Sequence, residues 1–183
     1  MKKLILVVAA IFSFTTFVNA QKYTTRDASV SFNPNKDQSE SGYQAKSTGG
    51  TAILQADKAQ VAFLIPVKTV RFNNSLLEEH FNDNYLETDK YPNATYKGTL
   101  SGFTASMLTK DGTYNISSQG QVTMHGTTQP FSAPVKLVVS GKTATFYCNF
   151  KIKAASYKIQ IPSSVSDKIL PATPVSVVIK FAL

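Results

Sequence analysis

From Ala28 to the C-terminus, apolar and polar residues mostly alternate with a period of two, the pattern of strands buried on one face. Ala28, Val30 and Phe32 alternate with Ser29 and Ser31 in a predicted strand over 27–33. Val61, Phe63, Ile65 and Val67 repeat at the same period over 60–67, but Ala62 and Leu64 make the opposite face apolar too. That strand is expected to be covered on both sides. Longer strands are predicted over 91–103 and 113–125, joined through Lys110-Asp111-Gly112 as a hairpin turn. Phe131, Ala133, Val135, Leu137 and Val139 mark the next, and Ser140-Gly141-Lys142 turns it into a strand over 144–153 with Phe146, Phe150 and Ile152 inside. Val175, Val177, Ile179 and Phe181 form the last. The polar stretch from Asn35 to Ala56, with Gly49-Gly50, is expected to hold one weaker strand.

One segment has a different period. Ser75 and Glu78 have the spacing of a capping box, with Ser75 at the N-cap and Glu78 at N3. Leu76, Leu77, His80 and Phe81 follow at helical spacing, and Asn82-Asp83-Asn84 closes the turn. A short helix with an apolar stripe must lie on something apolar. The outer face of the strand over 60–67 and the mouth of a barrel are the two candidates. About eight strands and one short helix predict an all-β, antiparallel fold, and closure into an eight-stranded barrel removes exposed edges. Such a barrel is wide enough either to be filled by its own side chains or to hold one small ligand.

The N-terminal residues do not share this alternation. Lys2-Lys3, the apolar run Leu4–Phe17 and the compact Val18-Asn19-Ala20 have the anatomy of a cleaved secretory signal peptide. The run of 14 residues is shorter than the ~20 that span a bilayer. The expected organisation is therefore a signal peptide over 1–20 and one barrel domain over 21–183, periplasmic or secreted after cleavage. The formal charge of the 183-residue chain is +8, and removal of the two leader lysines lowers it to +6. The remaining lysines are scattered singly along the alternating segments, as on solvated strand faces. No nucleic-acid partner is expected, whereas a transient contact with an anionic envelope surface fits the charge. Oligomeric state is open between monomer and dimer.

Candidate chemistry is sparse. Cys148 is the one cysteine, which excludes an intramolecular disulfide and a cysteine metal cluster. Period two places it beside Phe146 and Phe150 as a buried, inert thiol. His80 and His125 are too far apart in sequence to suggest a metal site, and no metal or cofactor is expected. His80 reads as a partly buried packing residue and His125 as part of a loop. There is no G-x-S-x-G elbow, H-E-x-x-H or glycine-rich phosphate loop, so no enzyme is expected. The predicted interior contains Phe32, Phe63, Ile65, Tyr96, Leu100, Ile116, Met124, Leu137, Phe146, Phe150 and Val177, with Phe81, Tyr85 and Leu86 as a lid. An aliphatic ligand burying roughly 300 Å² there gains about 7 kcal/mol before association costs. The same residues equally suit a packed core, in which case the protein is a ligand-free envelope module working through its surface.

Two motifs tip this balance. The stretch from Glu79 to Gly98, with His80-Phe81, Lys90-Tyr91-Pro92 and then Tyr96 before Gly98, resembles the YceI-like family. Gly120-Gln121-Val122-Thr123-Met124-His125-Gly126-Thr127-Thr128-Gln129-Pro130 is similar to that family's G-x-L-T-x-x-G-x-T-x-P hairpin. A weaker echo lies at 152–159, so the resemblance covers about 27–182. It implies an extended, lipocalin-like antiparallel barrel, exported to the periplasm, with an elongated apolar cavity for an isoprenoid-like or fatty-acid-like lipid. Tyr91-Pro92 would set the entry into a strand, Gly126 a tight turn, and Pro130 the start of the returning strand. The chain departs from the pattern at Tyr23, at Val30–Pro34 where a histidine is absent, at Asn84-Tyr85-Leu86, and at Ala155-Ser156-Tyr157, which lacks an arginine.

Overall fold

The computed structural model describes residues 21–183, so the expected signal peptide lies outside the described residues. Nine antiparallel strands follow in chain order: β1 (Lys22–Phe32), β2 (Ala45–Gln55), β3 (Gln60–Pro66), β4 (Arg71–Phe72), β5 (Asn93–Ser101), β6 (Gly112–Met124), β7 (Thr127–Ser140), β8 (Thr143–Ile152) and β9 (Thr173–Ala182). Their order is β1-β9-β8-β7-β6-β5-β3-β2, and β2 pairs back onto β1, which closes eight strands into a barrel. The two-residue β4 adds only Arg71 and Phe72 to the rim of β2. The stretch expected to hold a weak strand thus supplies β2, a full barrel stave whose Ala45, Ser47, Ala52 and Leu54 are buried.

The two ends of the barrel differ. At one end, Leu54, Leu108, Ile116, Leu137, Val139, Phe146 and Phe181 belong to one packed core cluster. This floor is built largely by the β5–β6 connection. Lys110-Asp111-Gly112 is not a tight hairpin turn there. A 3₁₀ segment over Ala105–Thr109 folds inward, burying Phe103 and Leu108, and Asp111 instead accepts a hydrogen bond from the Gly141 backbone N–H at 2.9 Å. The connection is long because it has to cross the barrel end, and its apolar residues are the plug.

At the other end lies helix α1 (Ser75–His80), continued by a π-turn over Phe81–Tyr85. Asn74, not Ser75, caps it: the Asn74 side-chain oxygen accepts from the backbone N–H groups of Leu76 and Leu77. Glu78 does not complete a capping box. Its carboxylate accepts from the Phe72 N–H at 3.0 Å and pairs with Arg71 at 3.1 Å, which ties the helix to β4. The helix therefore sits on the mouth and leaves the outer face of β3 bare. Leu64 there is half-buried and its neighbour Ile53 is 38% exposed, so the expected outer cover is absent among the described residues. The strand is apolar on both faces without being covered on both.

The β6–β7 hairpin turns at His125-Gly126, both at positive φ, in register with the pair Met124–Thr127. Pro130 consequently lies inside β7 and does not begin it. Tyr91-Pro92 does precede β5 directly.

Candidate functional site

Between floor and mouth the barrel encloses a cavity of about 340 Å³, within the ordinary range for ligand pockets. Phe146, Cys148, Phe150 and Ile152 of β8 all face it. At ~3.3 Å per residue these positions span roughly 20 Å, so the cavity is elongated along the strands. Its walls are almost wholly carbon. Residues of every barrel strand but β2 face it, mostly at every second position, because the period-two pattern aims one apolar set inward.

Aromatic rings organise both halves. Phe131 packs edge-on against Tyr96 at 5.2 Å and Phe150 at 4.8 Å between ring centroids, a row across β5, β7 and β8. At the mouth Phe32, Phe72 and Phe81 form a triangle with centroid separations of 5.1–5.9 Å. Leu77 and His80 of α1 line the rim on one side, and Pro34, Val165 and Ile169 line it on the other. The segment 162–170 is held there by backbone hydrogen bonds from Lys36 to Lys168 and from Leu170 to Pro34, both 2.8 Å. No periodicity marked this second rim, since Ile159, Ile161, Val165 and Ile169 lie outside strands. Their only sequence signal is apolar residues in an irregular stretch.

The expected interior residues divide cleanly. Phe32, Phe63, Ile65, Phe81, Tyr85, Leu86, Tyr96, Leu100, Met124, Phe146, Phe150 and Val177 all line the cavity. Ile116 and Leu137 do not. Both point inward but lie in the packed floor, Leu137 with no exposed surface at all. Leu86 is also less a flap than a fixed wall, buried with Val67, Tyr157 and Ile159.

Few polar groups face the cavity. His80 is half-buried at the rim and borders no metal-binding set: among the described residues no three His, Cys, Asp or Glu side chains converge. Cys148 lies on the wall, and burial pushes its thiol up to about 11, far from the thiolate that reacts. The Tyr96 hydroxyl meets Ser118 Oγ at 2.5 Å near the floor.

Outside the cavity, His125 joins the two sequence motifs. Its Nε2 faces Glu87 Oε2 at 2.7 Å, its Nδ1 faces the Tyr157 carbonyl at 3.0 Å, and its ring packs edge-on against Tyr91 at 4.7 Å. Both ring nitrogens thus lie within hydrogen-bond distance of oxygen atoms. This histidine is a positioning residue that holds the strand entry at Tyr91 against the β6–β7 turn.

A family model described as the YceI-like domain matches residues 11–181. The chain belongs to this family. No curated protein sequence matches it. Solved structures with the same fold include a polyisoprenoid binding domain from Saccharophagus degradans, with a TM-score of 0.73, 13% identity, and coverage of 88% of this chain and 97% of that one. Another is Burkholderia cenocepacia BcnA, with a TM-score of 0.69, 15% identity and coverage of 84% and 95%. The YceI protein of Campylobacter jejuni matches at a TM-score of 0.55 and 14% identity over 100% of this chain and 99% of its own. At such identities the likeness is one of fold. In this YceI-like barrel the two motifs touch each other, at Tyr91, His125 and Glu87.

Proposed function

We propose that this YceI-like protein is an exported lipid carrier that holds an isoprenoid-like or other long apolar chain within the barrel, for transport or sequestration. One observation carries the reading: the barrel has a packed floor yet leaves an elongated, carbon-lined cavity of about 340 Å³ unfilled by its own side chains. An apolar cavity forfeits dispersion contacts along its whole lining, and a chain of matching shape restores them. Each methylene moved from water into it contributes about 0.8 kcal/mol. A chain that fills the cavity thereby offsets an association cost of roughly 4–15 kcal/mol. The Saccharophagus degradans domain, described as polyisoprenoid binding, supports the same class of ligand. Binding here is non-covalent, and the reading assigns no reaction to Cys148 or His80.

The test is native mass spectrometry of the protein recovered from its own cell envelope, followed by solvent extraction. The expected result is one equivalent of a long-chain lipid that leaves on extraction and rebinds. Protein that carries no lipid, and takes up no long-chain probe after delipidation, would overturn the reading. Export is tested by the mass of the recovered chain, which is expected to begin at Gln21.

A further inference from the structure

Tyr96 and Ser118 place two hydroxyl groups on the wall of a barrel cavity lined mostly by carbon. Ser118 is 3% exposed, and the two oxygens lie 2.5 Å apart. Neither has another hydrogen-bond partner among the described residues. Two hydroxyls carry two hydrogens, and the bond between them uses one. The second is left without a protein acceptor in a site where an unmade hydrogen bond is costly. Burial also raises the Tyr96 pKa, so the phenol keeps its proton at neutral pH.

The position of the pair is as informative as its chemistry. Along β6, Ile116 belongs to the packed floor, whereas Val122 and Met124 pack with the cluster nearer the mouth. Ser118 is the next inward-facing residue above the floor. The phenol reaches it by lying over Gly98, where any Cβ would collide with the Tyr96 hydroxyl. The donor is thus held at the inner end of the cavity, remote from the rim.

We infer that the Tyr96–Ser118 hydroxyl pair anchors a hydrogen-bond-accepting oxygen, carbonyl, ester or ether, at the leading end of the bound chain, which enters polar end first. The inference rests on the lipid-carrier reading. It divides long apolar chains into two classes: those with an acceptor oxygen at one end are retained, and plain hydrocarbons of the same length gain burial alone.

Two probes of equal length, hexadecyl methyl ketone and octadecane, are titrated into delipidated protein and into the Tyr96→Phe/Ser118→Ala double variant. Both hydroxyls are removed together because either alone still presents a donor. Ketone affinity is expected to fall about fivefold, the factor set by one ordinary hydrogen bond, with octadecane affinity unchanged. An equal ketone affinity in both proteins overturns the anchor and leaves the carrier reading standing. Failure of both probes to bind the wild-type chain overturns both. Should the double variant not fold, the carbonyl stretch of the ketone bound to the wild-type protein decides. A shift to lower frequency than in alkane solvent is expected, and an unshifted band overturns the anchor.

Discussion

Cys148 is a built-in reporter on the cavity. Its thiol faces the ligand space, and burial raises its pKa from 9.0 to about 11. The thiolate is the reactive form. At pH 8 a thiol raised to about 11 leaves about a hundredfold less thiolate than an unperturbed cysteine has. Alkylation by iodoacetamide is expected to be slower by about that factor, to accelerate as pH approaches 11, and to slow further when a lipid occupies the barrel. A rate matching a free thiol at pH 8 would contradict this placement. Gly126 makes a second residue-level case. It has φ +68°, and a Cβ there would lie 2.6 Å from Tyr91 Cε1, so Gly126→Ala meets both backbone strain and a ring fixed by His125. The expected cost is about 1–3 kcal/mol, measured as a lower urea midpoint at unchanged slope. The sequence pointed to this glycine as a turn residue, and the structure adds the reason it cannot be enlarged. The His125–Glu87 contact was not legible in the same way. It joins residues 38 positions apart, and neither residue type specifies the other.

Elements were legible where one period governs them and less so where tertiary contacts choose between equivalent residues. Asn73, Asn74 and Ser75 are all capable N-caps. The Ser75–Glu78 spacing favoured Ser75, but Glu78 is drawn away to Arg71 and the Phe72 N–H, and the cap passes to Asn74. The same tie explains why α1 sits on the mouth: Glu78 fastens it to β4, which is itself paired to the rim of β2. Asn74→Ala is therefore expected to loosen the rim without unfolding the barrel, at a local cost of about 1 kcal/mol. Hydrogen exchange over 75–85 is expected to quicken, and lipid release to quicken with it, while exchange in β6 and β7 stays unchanged. Equal protection of the helix in both proteins would show that another contact seats it. Ser75→Ala is the control and is expected to change neither rate.

For the whole molecule, the alternation that announced a barrel could not say how much of it is filled. Leu137 and Phe150 look alike in sequence, both apolar at inward positions of neighbouring strands. Leu137 meets the plug brought in by the β5–β6 connection, whereas Phe150 faces the space beneath α1. What separates them is the end of the barrel each occupies, which depends on the path of the connections and not on the period of the strands. The consequence is a division of labour that two truncations separate. Leu137→Ala opens a hole in a fully buried, close-packed floor and is expected to cost about 2–5 kcal/mol, with little change in lipid affinity. Phe150→Ala removes a ring that borders an existing cavity and is partly exposed to it, so it leaves fewer lost contacts and a smaller cost. Its effect falls on binding instead: the cavity widens beside Phe131, and bulkier chains are expected to gain on slender ones in competition for the barrel. Urea unfolding and competitive lipid uptake, measured on the same two variants, check both halves. A Phe150→Ala protein that is as destabilised as Leu137→Ala and unaltered in lipid preference would mean that the space above the floor is core, not a binding site.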